Sequence, residues 1–174
     1  MSTTHDEVAG VVDLFGALSR PELAAALDEL AFKQGRDVDD SALHAAIERA
    51  IDAYAIVEYR PVDDDAADGG DGGSAEWDDG RDPLLAVGPT AFPSLPPNAE
   101  DLPHILDYER RSVDRERLAD GVRDRLTAEA TAAAEADDAE RAAELLDVSY
   151  DLETWAAVDC AAVRSTLESA LPQD

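Results

Sequence analysis

The chain has 174 residues, with 41 Asp and Glu against 14 Lys and Arg and a formal net charge of −27. Cys160 is the only cysteine, which excludes an intrachain disulfide and a thiolate zinc site. No stretch approaches the ~20 apolar residues of a membrane span, and the start MSTTHDEVAG has neither the basic nor the apolar region of a secretory leader. A soluble cytoplasmic protein of one compact domain or two small ones is expected.

Ala accounts for 33 residues, whereas Leu, Ile, Val and Phe together make about 21% of the chain. That is just above the roughly 20% below which a highly charged chain stays disordered, so placement of the apolar residues decides whether a fold exists. Thirteen of the fourteen basic residues are Arg, and Lys33 is the only Lys. In dilute buffer so large a charge opposes compaction. In molar salt the Debye length falls to about 3 Å, and abundant short carboxylates keep the surface hydrated. The composition is therefore read as an adaptation to a salt-rich cytosol. An acidic disordered tail or a DNA mimic would carry fewer apolar-periodic segments than follow here.

Val8, Val11, Val12, Phe15 and Leu18 recur at helical spacing and predict a first helix, with His5 in a frayed terminus. Ser19 and Glu22 form a capping box, Leu18 and Leu23 stand where a hydrophobic staple places its pair, and Pro21 is tolerated in the first turn. A second helix follows on Leu23, Leu27, Leu30 and Ala31 and ends at Gly35. A third starts near Asp39 or Asp40, with Val38 and Leu43 as a second staple, buries Leu43, Ala46, Ile47, Ala50 and Ile51, and runs to about Tyr54. Residues 55–60 then read as a strand and residues 84–87 as its partner. Between them, residues 63–82 hold nine carboxylates against one Arg, with Gly69-Gly70 and Gly72-Gly73. This is an acidic, disordered hairpin tip; a phosphate cradle needs converging N–H donors at a helix start and few anions nearby.

Three helices and a two-stranded hairpin are the plan of a winged helix, with residues 56–87 as the wing. Residues 6–88 are assigned to this winged-helix-like domain, 89–103 to a Pro-rich connector and 104–172 to a helical region. The connector cannot be regular helix or central strand, and Phe92 and Leu95 are its expected anchors on the first domain. Beyond it the pattern predicts a short turn at 101–107, a long Ala-rich helix over 114–136, a helix over 139–146, and a last one capped by Asp151. That last helix carries Leu152, Trp155, Val158, Val163 and Leu167. The fold class is mainly α with a small antiparallel hairpin.

The runs Leu14-Phe15-Gly16-Ala17-Leu18-Ser19, Ala31-Phe32-Lys33-Gln34-Gly35, Val87-Gly88-Pro89-Thr90-Ala91-Phe92-Pro93 and Asp101-Leu102-Pro103-His104-Ile105-Leu106-Asp107 resemble an uncharacterised family of haloarchaeal proteins over nearly the whole chain. The resemblance implies a haloarchaeal source and a winged-helix-like first half. It brings no activity and no functional residues.

The sequence holds no G-x-S-x-G, no phosphate-loop lysine motif and no dinucleotide fingerprint. Solvated carboxylates such as Asp63-Asp64-Asp65 are the opposite of the perturbed groups that acid–base catalysis needs, so no catalytic residue and no cofactor is assigned. Asp101, His104 and Asp107 are weak candidates for a divalent metal on one side of a helical turn, against the plainer reading of a capped short helix. One stretch is basic: residues 110–126 carry a net +2 through Arg110, Arg111, Arg115, Arg117, Arg123 and Arg125. With Arg49 and His44 of the third helix, these arginines are the candidate contacts for nucleic acid or a partner. Self-neutralisation by i,i+3 pairs, Asp114 with Arg117 and Asp120 with Arg123, is the plainer reading.

A DNA reading meets an acidic third-helix surface (Asp40, Glu48 and Asp52 beside Ser41, His44 and Arg49) and an acidic wing. Molar salt also suppresses the counterion-release contribution to DNA affinity. The expectation is a non-enzymatic winged-helix-like interaction module that binds a protein partner or itself, with the helical C-terminal half as the docking or dimer surface. A DNA-binding regulator is the alternative, and a small metal-dependent enzyme is third.

Overall fold

The computed structural model describes residues 4–60 and 82–172. Of the acidic tip expected at 63–82, all but Asp82 lies outside the described residues. The elements run α1 (His5–Phe15), β1 (Ala17–Ser19), α2 (Arg20–Lys33), α3 (Asp40–Asp52), β2 (Ile56–Tyr59), β3 (Leu84–Val87), a 3-10 turn (Ala99–Asp101), α4 (Leu102–Ile105), α5 (Arg115–Glu135), α6 (Ala139–Trp155) and α7 (Ala161–Ala170). The chain is mainly helical, with one small antiparallel sheet.

Local signals set most boundaries. The Thr4 hydroxyl accepts the Glu7 N–H at 3.2 Å while the Glu7 carboxylate accepts the Thr4 N–H at 2.8 Å. This capping box makes His5 the first helical residue rather than part of a frayed end. The same exchange joins Ser19 and Glu22 at the start of α2, with Leu18 and Leu23 both buried as the staple. Gly35, at φ 67°, closes α2: its N–H reaches the Phe32 carbonyl and the Arg36 N–H the Ala31 carbonyl, the paired bonds of a Schellman cap. The Asp39 carboxylate accepts the Ala42 N–H at 2.9 Å and starts α3.

The first helix stops three residues earlier than its apolar spacing predicts. Gly16 turns the chain at φ 75°, and Ala17–Ser19 becomes a strand. β3 is the central strand of the order β1-β3-β2, with Leu18 opposite Leu85 and Val57 opposite Ala86. The sheet separates two apolar clusters, because successive side chains on a strand point to opposite faces. Leu18, Ile56 and Leu85 join the cluster of α1, α2 and α3. Ala17, Val57, Tyr59 and Ala86 join that of α5, α6 and α7.

The connector is held by its backbone. The Ser94 N–H donates to the Asp6 carbonyl at 3.1 Å and the Phe92 N–H to the Asp6 carboxylate at 3.0 Å. Phe92 and Leu95 are not its anchors, since their side chains are 82% and 50% exposed; Pro96, Ala99 and Leu102 are the buried residues. The last helices also divide differently from expectation. α6 continues to Trp155 with Asp151 inside it, and the break falls at residues 156–160, where no Gly or Pro marks it. There the Glu153 carboxylate accepts the Cys160 N–H at 2.8 Å and the Asp159 carboxylate accepts the Ala161 N–H at 2.8 Å.

Candidate functional site

Between the end of α3, strand β2 and the first half of α5 lies a groove of about 920 Å³. Its size is within the range of ligand and peptide sites. Ile51, Val57, Tyr59, Leu118 and Val122 give it apolar walls, and Glu58, Arg60, Arg117, Asp120, Asp124 and Arg125 give it a charged rim. Gly121 opens the α5 side, because a Cβ there would meet nothing within 4 Å.

Most of the rim charges already have partners. Glu58 takes Arg20 at 2.9 Å, Arg123 lies 3.2 Å from Asp120 and 3.8 Å from Asp124, and Arg117 lies 3.6 Å from Asp114. The two i,i+3 pairs read from the sequence are therefore present. Arg125 does three things at once. Its guanidinium covers the Tyr54 ring at 3.9 Å, its Nη1 donates to the Ile51 carbonyl at 3.0 Å, and its Nε donates to Glu129 at 2.7 Å. Glu129 also accepts from Arg141 at 2.6 Å, and Arg141 reaches the Asp52 carbonyl at 3.2 Å. Burial pushes the Glu129 carboxyl up, but the two guanidinium hydrogen bonds outweigh it and hold the group below its ordinary value. The orphan carbonyls at the end of α3 thus receive cations from α5 and α6, which fixes the wall of the groove.

Arg110 and Arg111 work at the other side of the sheet. Arg110 donates to the Asp13 and Leu14 carbonyls, both at 2.9 Å. The Arg111 N–H takes the Phe15 carbonyl at 2.8 Å, its Nη1 takes the Ala17 carbonyl at 3.0 Å, and its two Nη atoms take the Glu22 carboxylate at 2.7 and 2.8 Å. With the Ser19 N–H bonded to Glu22 at 2.8 Å, the outward Ala17 carbonyl and Ser19 N–H of β1 are both taken. The Arg111 hydrogen bonds bring the Glu22 carboxyl down to about 2. Arg115 lies over the Trp155 ring at 5.2 Å.

The arginines that sequence reasoning grouped as one basic stretch therefore separate into a cover for β1, a lock on α3, and surface pairs on α5. Arg49 is exposed on α3 and has no hydrogen-bond or ion-pair partner among the described residues, and the His44 ring sits 2.6 Å from the Asp40 carbonyl of its own helix. Asp101 pairs with Lys33 at 3.1 Å, His104 is exposed, and Asp107 turns the chain at φ 49°. Among the described residues no cluster of His, Cys, Asp or Glu could hold a metal ion. No described helix is long and apolar enough to cross a membrane.

The groove itself escaped sequence reasoning, since Ile51, Val57, Tyr59 and Arg60 converge with α5 only in the fold. Gly121 was its one visible signal: a glycine inside a charged helix gives up about 1 kcal/mol of helix propensity. Among curated proteins and among solved structures nothing matches the chain. Residues 6–172, almost the whole chain, match one family model, and the chain belongs to that family, a family of unknown function (DUF7109).

Proposed function

We propose that this chain is a non-enzymatic, salt-adapted interaction module of winged-helix-like plan that binds a protein partner through the groove between α3, β2 and α5. The order α1, β1, α2, α3, β2, β3, with β1 and β2 flanking β3, supports the winged-helix reading. The observation that carries the function is the groove: apolar walls, a rim of mostly neutralised charges, and a helix glycine that leaves room. The excess of carboxylates supports a salt-rich cytosol and, with it, a haloarchaeal source.

Protein is favoured over DNA because six of the candidate arginines already engage carboxylates, carbonyls or a ring of the protein itself. Of the candidate arginines, Arg49 is the one with no such partner among the described residues, and it lies exposed on α3 beside Glu48 and Asp52. The test is affinity capture from a native lysate in molar KCl with wild type and Gly121→Trp, which fills the groove from a position with open space. A specific protein held by wild type and lost with Gly121→Trp supports the reading. Equal capture by both, or DNA retention that Arg49→Glu abolishes, overturns it.

A further inference from the structure

The two edges of the sheet are treated differently. On β1, Leu18 faces β3, while the outward carbonyl of Ala17 and N–H of Ser19 are taken by Arg111 and Glu22. On β2 the alternation is fixed by the Gly88 N–H, which donates to the Ala55 carbonyl at 2.8 Å. In an antiparallel ladder bonded residues alternate, so Val57 and Tyr59 bond to β3, and Ile56 and Glu58 turn their N–H and C=O outward. No described group takes a hydrogen bond from or gives one to the Glu58 backbone.

The groove lies along this edge, which no described residue pairs. A cavity against one face of a strand is lined by alternate residues, yet four consecutive residues, Val57 to Arg60, line this one. Its two walls come from the two layers that sandwich the sheet, Ile51 of α3 on one side and Leu118 to Val122 of α5 on the other. A strand laid beside β2 would continue the sheet between those layers. Its side chains would alternate between the α3 wall and the α5 wall, where Gly121 leaves room. Arg60, exposed and without a charge partner among the described residues, stands at the end of the edge.

We infer that the partner enters as an extended peptide segment, added beside β2 as a fourth strand, with apolar residues at alternate positions and a carboxylate facing Arg60. This rests on the proposed interaction function and names the chemistry of its partner. An edge on β2 that no described residue pairs, while β1 is covered, is what a strand-adding site requires and an aggregation-guarded edge avoids.

The test uses the full chain in molar KCl and a synthetic nine-residue peptide alternating Val and Thr with one Asp near its end. Binding is followed by amide shifts and hydrogen exchange at Ile56 and Glu58. A second peptide of the same sequence carries N-methyl groups on alternate amides. Glu58→Pro removes an outward N–H that β3 does not use, and Gly121→Trp fills the groove. The expected result is binding of the first peptide with slowed exchange at Glu58. Affinity should fall about tenfold or more for the methylated peptide and for Glu58→Pro, the loss of one or two net hydrogen bonds. Gly121→Trp should also abolish binding. No binding to wild type, or equal binding of both peptides, overturns the strand addition. If Gly121→Trp then still loses its captured protein, the interaction function stands without it; if neither peptide nor protein depends on the groove, both fail.

Discussion

A Cβ placed on Gly16 would lie 1.9 Å from the carbonyl oxygen of Arg111. The turn between α1 and β1 therefore has no room for a side chain, and its φ of 75° disfavours one on conformational grounds as well. This is where the strap at residues 110–111 crosses the first helix and bonds to the Phe15 carbonyl. Gly16→Ala should cost about 2–3 kcal/mol, the sum of a strained backbone and a displaced strap. Urea unfolding in molar KCl measures it, and a loss below about 0.5 kcal/mol would show that the strap yields freely.

The Arg111–Glu22 pair predicts a specific dependence on acid. The Glu22 carboxyl titrates at about 2 in the fold against an ordinary 4.5, so its contribution is complete above the unfolded value. As pH falls from about 4.5 towards 2 the unfolded chain binds the proton first and that contribution is lost. With both side chains partly exposed, it amounts to roughly 2 kcal/mol after solvent screening. The difference in unfolding free energy between wild type and Glu22→Gln should shrink across this window, and a constant difference would contradict the assignment.

The Ser19–Glu22 capping box, the two staples and strands β2 and β3 were legible because each is encoded within five or six neighbouring residues, whereas the Thr4–Glu7 box went unread because His5 was placed in a frayed end. Ser19 with Glu22 and Asp39 with Val38 and Leu43 needed no tertiary information. β1 was not legible: three residues between a glycine turn and a strong helix start carry no pattern of their own, and only pairing with Leu84 to Ala86 makes them a strand. Phe92 and Leu95 misled because apolar type was read as burial, whereas the connector is tied by amides to Asp6. The groove lay beyond reach for a related reason, as it is built from α3, β2 and α5 across more than seventy positions of sequence.

Gly121 yields a prediction of opposite sign to Gly16. It sits inside α5 with open space where a Cβ would go. Gly121→Ala should therefore stabilise the chain by about 0.5–1 kcal/mol, through helix propensity and reduced freedom of the unfolded chain. A thermal unfolding midpoint raised in molar KCl is the expected observation. A destabilised variant would mean that the helix needs glycine there for a packing reason that the fold does not reveal.

The Arg125–Glu129–Arg141 cluster should behave as a unit. Glu129 is shared by two guanidinium groups, each of which also holds a carbonyl at the end of α3. Glu129→Gln removes the carboxylate that the two cations share, leaving Arg125 with none and Arg141 with Glu144 alone, and should cost about 1–2 kcal/mol, less than a fully buried pair would because all three side chains are partly exposed. A double-mutant cycle with Arg125→Met should give a coupling energy of roughly 1 kcal/mol. Additive losses would separate the Tyr54 stacking from the ion pair.

Salt dependence should be sharpest in the C-terminal bundle. Residues 127–174 carry a net −10, and their two arginines are already committed, Arg141 to Glu129 and Glu144, Arg164 to Glu153. Asp147 and Asp151 stand one turn apart on α6 with no cation between them. Burial raises the Asp151 carboxyl, and the neighbouring Asp147 charge adds to that. Like charges at this spacing oppose the helix, and screening decides how strongly, with the Debye length growing from about 3 Å at molar salt to about 30 Å at 0.01 M. Helical circular dichroism should therefore fall as KCl is reduced from molar to dilute. The double substitution Asp147→Asn with Asp151→Asn should move the midpoint to lower salt. Full dichroism retained in dilute buffer would show that burial in the bundle outweighs its self-repulsion without help from ions, and the salt-adapted reading would fail.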